Sequence, residues 1–102
     1  MKFKDIKFVN TKNPNGVQAL IECGVYEVSV VKNDVSYGGK AGLYEIGIFQ
    51  NDKLISLPGI TEEGDTVKGF LNKSGVEAIL KKLFLITRKG PVQQQVENWM
   101  ST

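Results

Sequence analysis

Between Gly24 and Gln50 the chain alternates apolar and polar residues twice over, and two such runs joined by a glycine-rich loop leave few folds open. Tyr26, Val28 and Val30 share one side of the first run, and Tyr44, Ile46 and Ile48 share one side of the second. That two-residue period belongs to strands with one buried face. The loop between them, Asn33-Asp34-Val35-Ser36-Tyr37-Gly38-Gly39-Lys40-Ala41-Gly42, is longer than a tight turn, and its glycines supply backbone angles that residues with a Cβ rarely adopt. The stretch predicts a β-hairpin.

Strand patterns continue on both sides. Phe3 to Val9 reads as a first strand with Ile6 and Phe8 inward; Asn13-Pro14-Asn15-Gly16 is a strong turn signal, and Val17 to Cys23 returns as a second strand. After the central hairpin, Gly47 between Ile46 and Ile48 marks a bulge or a close backbone approach. Gln50-Asn51-Asp52-Lys53 reverses the chain into a short strand from Leu54 to Leu57, and Thr66 to Leu71 forms a further one. The period then changes: Val76, Ile79, Leu80, Leu83 and Phe84 form the stripe of a helix from Lys73 to Phe84, with Asn72 as its N-cap.

Gly90-Pro91 ends that helix, and Pro91 suits the first position of a short C-terminal helical segment with Val92, Val96, Trp99 and Met100 on one face. So short a piece is not stable alone, so it is expected to bury against its own sheet, a second copy or a partner. The expectation is therefore an α+β fold: a mostly antiparallel sheet of five or six strands, one amphipathic helix packed on a face, and the C-terminal helical segment. Residues 1–90 form a single domain, and residues 91–102 a docked or intermolecular segment that makes a homo-oligomer possible.

The residues missing from the chain narrow its chemistry. There is no histidine, so the commonest general base and metal ligand is lacking. A Ser-Lys pair would be needed for a serine nucleophile, and Lys73-Ser74 or Ser36 with Lys40 has no recognisable setting. Glu62, Glu63 and Asp65 match no calcium-loop spacing, so no metal is expected. Lys40 follows two glycines but precedes Ala41 and a strand pattern, whereas a phosphate-binding loop needs Gly-Lys-Ser/Thr and a helix. No catalytic residue and no cofactor is assigned.

The lone Cys23 continues the alternation of Val17, Ala19 and Ile21, which makes it a buried structural thiol rather than half of a disulfide. With no apolar run of membrane length and no secretory pattern at Met1-Lys2-Phe3-Lys4-Asp5, a cytoplasmic protein without a membrane partner is expected. Thirteen basic residues against 11 acidic ones give a net charge of +2, too even a balance to imply nucleic acid. Lys12, Lys32 and Lys40 could still line one sheet face, which keeps a nucleic-acid-associated accessory protein as the alternative.

Gly24-Val25-Tyr26-Glu27-Val28-Ser29-Val30-Val31, the Tyr37-Gly38-Gly39-Lys40-Ala41-Gly42-Leu43-Tyr44-Glu45 stretch, Ile60-Thr61 and Val67-Lys68-Gly69-Phe70-Leu71 before an amphipathic helix together resemble a group of short tailed-bacteriophage proteins of unknown function. The group carries no assigned activity; the resemblance implies a phage origin and the host cytoplasm. The expected function is a non-enzymatic protein-binding module, of the kind a phage makes to engage or inhibit a host protein. Tyr37, Gly38, Gly39 and Lys40 at the loop tip and Trp99 in the tail are the expected binding residues, tyrosine and tryptophan being enriched at interface hot spots.

Overall fold

A computed structural model describes residues 1–93. Its order is β1 (Val9–Thr11), β2 (Gly16–Cys23), β3 (Tyr26–Asn33), β4 (Tyr44–Gln50), β5 (Lys53–Ile55), β6 (Val67–Leu71), α1 (Lys73–Thr87) and β7 (Val92–Gln93), with short 3-10 turns at Phe3–Asp5 and Gly39–Ala41. All seven strands belong to one sheet, and every named pair is antiparallel. The α+β expectation therefore holds, with one strand more than expected. Among the described residues no helix is long and apolar enough to cross a membrane.

The sheet is a three-stranded meander, β2-β3-β4, whose two flanks are each tiled by two short strands. On one flank β1 pairs with the start of β2 (Val9↔Gln18, Thr11↔Gly16) and β7 with its end (Ile21↔Gln93, Glu22↔Val92). On the other, β6 pairs with the start of β4 (Tyr44↔Leu71, Ile46↔Lys68) and β5 with its end (Ile48↔Ile55, Gln50↔Lys53). The β4–β5 reversal is tight because Asn51 and Asp52 both take positive φ, +53° and +64°, as a two-residue hairpin turn of matching twist requires.

Alternation decides what is buried. Ile21, Val28, Val30, Ile46 and Ile48 are sealed from solvent, and Val76, Ile79, Leu80 and Leu83 of α1 close over them. Of the residues expected inward on the strands and helix, all but Phe84 lie in this cluster or pack against it, Phe8 and Tyr26 in the second group. Phe3, Phe8 and Tyr44 cluster against it at tilted and edge-on angles, with ring centroids 5.1–5.6 Å apart. The helix starts as its sequence dictates, the Asn72 side chain accepting from the Gly75 amide at 2.8 Å.

Three expectations are corrected. Phe3 to Val9 is not a strand: Phe3–Asp5 is a 3-10 turn that turns Phe3 onto the helix side, where its amide donates to Glu77 Oε2 at 3.2 Å, and strand pairing begins only at Val9. The helix does not stop at Phe84 but runs to Thr87, where Arg88 takes a left-handed conformation (φ +59°), and Phe84 is 42% exposed rather than part of the buried stripe. At Gly47 the expected alternative of a close approach holds, a built Cβ lying 3.1 Å from Leu54 Cδ1, and the bulge sits in the neighbouring strand β6. Finally, the C-terminal segment does not begin as a helix: Val92 and Gln93 are extended and pair with β2, because the Gln93 side chain accepts from the Lys7 amide at 2.9 Å and donates back to the Lys7 carbonyl. Val96, Trp99 and Met100 lie outside the described residues.

Cys23 ends β2 fully buried. Burial disfavours the thiolate and pushes its pKa from the ordinary 9.0 to about 11. A raised acid pKa favours the neutral thiol in the folded state, so this contribution to stability is complete below pH 9 and is lost as pH rises through 11. Stability measured by denaturant titration should therefore fall between those pH values, and Cys23→Ala should flatten that fall. An unchanged pH slope in the alanine variant would mean that the thiol does not carry it.

Candidate functional site

The loop between β3 and β4 is tied by its own side chains before it reaches the glycines. Asn33 Oδ1 accepts from the amides of Val35 and Ser36 at 2.9 and 2.7 Å, and Ser36 Oγ accepts from the Asn33 amide while donating to its carbonyl. A 3-10 turn over Gly39–Ala41 follows, bracketed by Gly38 and Gly42 in left-handed conformations (φ +89° and +80°). The amides of Gly39, Ala41, Gly42 and Leu43 all donate to carbonyls within the loop. Those four are thus unavailable to cradle an anion, and Lys40 stands exposed beside them without a phosphate-loop geometry.

The loop tip is fastened to the sheet at Tyr37. Its amide donates to Glu45 Oε2 at 3.0 Å, and its carbonyl accepts from the Phe70 amide at 3.1 Å. The Phe70 amide is free to do so because β6 bulges there. Pairing shifts by one residue between Tyr44↔Leu71 and Ile46↔Lys68, which places both Gly69 and Phe70 opposite Glu45. Phe70 takes φ +55°. A bulky residue at positive φ is an outlier that costs on the order of 1–3 kcal/mol, and such outliers persist only where the surroundings hold them.

Two glycines make the contact possible, each beneath the aromatic residue of the other segment. A Cβ on Gly69 would lie 2.4 Å from Tyr37 Cβ, and one on Gly38 would lie 3.0 Å from Phe70 Cα and 3.1 Å from its Cδ1. The result is two aromatic side chains held at fixed backbone positions yet turned to solvent, Tyr37 61% and Phe70 67% exposed. A groove of about 560 Å3 runs from them along β6 to Glu62 and Asp65.

Lys68 bridges to Glu62 across that groove at 2.7 Å; its hydrogen bond and charge hold the Glu62 carboxyl below its ordinary pKa. So exposed a pair contributes little to stability. Lys40 does not line the groove. Among the described residues no three His, Cys, Asp or Glu side chains converge as a metal site would need.

Of the expected binding residues, the structure thus brings Tyr37 and Gly38 into contact with β6, packs Gly39 against Asn33 and Ser36 inside the loop, leaves Lys40 at the exposed turn beside it, and does not describe Trp99. Sequence reasoning missed Phe70 and Glu45. The available signal for Phe70 was Gly69, a glycine inside a strand pattern and next to an aromatic residue. Of the lysines of the nucleic-acid alternative, Lys32 Nζ sits 5.1 Å over the Tyr44 ring, Lys12 lies in the β1–β2 turn and Lys40 in the 3-10 turn of the β3–β4 loop. Comparison with protein-family models, with curated proteins and with solved structures finds no match.

Proposed function

We propose that this chain is a non-enzymatic protein-binding module whose anchor is the Tyr37–Phe70 pair, used by a phage to engage a host protein. The observation that carries the reading is the paired exposure of two aromatic rings whose backbones are clamped to one another and to Glu45. Rigid aromatic residues bring large contact area at small entropic cost, which is why they dominate interface energetics. The left-handed Phe70 supports the same reading, since a glycine would relieve the backbone and only the ring justifies the phenylalanine. The phage setting rests on the resemblance of residues from about Gly24 to Leu83 to short phage proteins.

Phe70→Gly separates stability from binding. It should leave the fold intact and raise stability by about 0.5–1 kcal/mol in denaturant titration, because glycine adopts the left-handed region freely. The same variant should lose host proteins that the parent retains in affinity capture, as should Tyr37→Ser. Retention of the same proteins by both variants, at parental yield, would remove the aromatic pair as the anchor. Loss of retention only on nuclease treatment or at raised salt would transfer the reading to the nucleic-acid alternative.

A further inference from the structure

β5 and β6 lie end to end along the same side of β4. Ile55 pairs with Ile48 and Val67 with Gly47, so residues 56–66 are looped out between two pairs that are neighbours on β4. The loop turns toward α1: Ile60 is buried in the core, and the Gly59 carbonyl accepts from Lys82 Nζ at 3.3 Å. Thr61, also buried, fixes its course, Oγ1 accepting from the Leu57 amide at 2.9 Å while the Thr61 amide donates to the Leu57 carbonyl. The chain then returns through Glu62 to Asp65, whose amide donates to the Glu62 carbonyl at 2.9 Å, and enters β6.

With the loop drawn to the helix side, β6 pairs among the described residues with β4 alone. A strand edge presents unpaired N–H and C=O groups that another extended segment can satisfy. Chemistry stands at both ends of this one. Tyr37 and Phe70 are exposed at one end, Glu63 and Asp65 at the other, and the groove along β6 joins them. Lys68 neutralises Glu62, but neither Glu63 nor Asp65 has an ion pair among the described residues, so the loop end keeps a negative excess. At strand spacing, Asp65 to Phe70 covers roughly 17 Å.

We propose that the outer edge of β6 takes an extended segment of the partner protein as an added strand. An aromatic or aliphatic side chain of that segment lies against Tyr37–Phe70, and a Lys or Arg about four to six residues away lies beside Glu63 and Asp65. Main-chain hydrogen bonds supply affinity, the two end residues supply register, and the charge of the loop favours a basic segment over an acidic one. The inference rests on the binding reading above and names what the partner offers to the site.

Short random peptides displayed on yeast and selected on the full-length protein test it. Enriched sequences should carry an apolar residue and a Lys or Arg at that spacing, with no proline between them. In a synthetic peptide of the enriched sequence, N-methylation of alternate residues should abolish binding in one phase and spare it in the other, as the two-residue period of a strand requires. Asp65→Lys should weaken the peptide severalfold, and exchanging the peptide's basic residue for Glu should restore it. Equal binding of both N-methylated phases overturns the proposal, as does affinity that Asp65→Lys leaves unchanged. A parent dimer that the peptide dissociates also overturns it, making a second copy the occupant of the edge. No enrichment by a parent that still captures host proteins through Tyr37 and Phe70 overturns the added strand and leaves the binding reading standing. Enrichment with the same phase and charge dependence in both Tyr37→Ser and Phe70→Gly supports the strand at the edge and removes the aromatic pair as anchor.

Discussion

Ile46→Ala is expected to lower the free energy of unfolding by about 2–5 kcal/mol, the range for removing a large aliphatic side chain from a closed core. Ile46 is fully buried in the central row of the sheet, between Val30 of β3 and Lys68 of β6, and belongs to the cluster that Leu80 and Leu83 cover. A domain of this size has only about 5–15 kcal/mol in total, so the variant should melt roughly 10–30 °C lower. The neighbouring Val31 points to the opposite face and is half-buried, so Val31→Ala should cost about 1 kcal/mol or less. Denaturant midpoints at unchanged m-value measure both. Equal losses at the two positions would mean that the faces of the meander have been assigned the wrong way round.

Gly39→Ala has the second large effect, and its cause is purely steric. A Cβ there would sit 1.8 Å from the Asn33 carbonyl oxygen and 2.6 Å from Ser36 Oγ, the two atoms around which the loop is tied. Backbone cannot yield as a flexible side chain can, so the Asn33–Ser36 ties must open, at about 1–3 kcal/mol. Gly42 is the natural control, because its φ is +80° but nothing lies within 4 Å of a built Cβ. Gly42→Ala should cost only the conformational term, about 1 kcal/mol. The two should also differ in binding, since Gly39→Ala displaces Tyr37 and Gly42→Ala need not. A Gly39→Ala protein as stable as the parent would show that the loop has another packing of equal energy.

The meander and the helix were legible because their signals are periodic. Val28, Val30, Ile46 and Ile48 alternate without exception, and Val76, Ile79, Leu80 and Leu83 keep helical spacing, so tertiary packing had nothing to override. Asn72 was legible for the opposite reason, a single side-chain oxygen that the helix start requires.

What escaped has no period. Phe3 and Ile6 are inward at a spacing of three rather than two, the mark of a turn rather than a strand, but a single turn is too short for the spacing to stand out. β7 pairs through two residues and is fixed by the Gln93 side chain reaching the Lys7 backbone, a contact between the two ends of the described chain that no local pattern encodes. At the site, Gly38 and Gly39 announced a tight loop, yet not that it would close over β6. Gly69 signalled an irregularity, but the left-handed residue is its neighbour Phe70, whose identity argues against that conformation.

The tiling of both flanks by short strands sets a hierarchy of local opening. β1, β5 and β7 are held by two or three pairs each and can detach while the rest of the sheet keeps its ladder. β3 cannot, because β2 pairs with it along its whole length and β4 along most of it, so its amides become accessible only when the whole domain opens. Glu45 is part of β4 within that slow unit, and it holds the amide of Tyr37. The exposed tyrosine is thereby coupled to the least labile part of the molecule, so fraying at the outer strands does not loosen it.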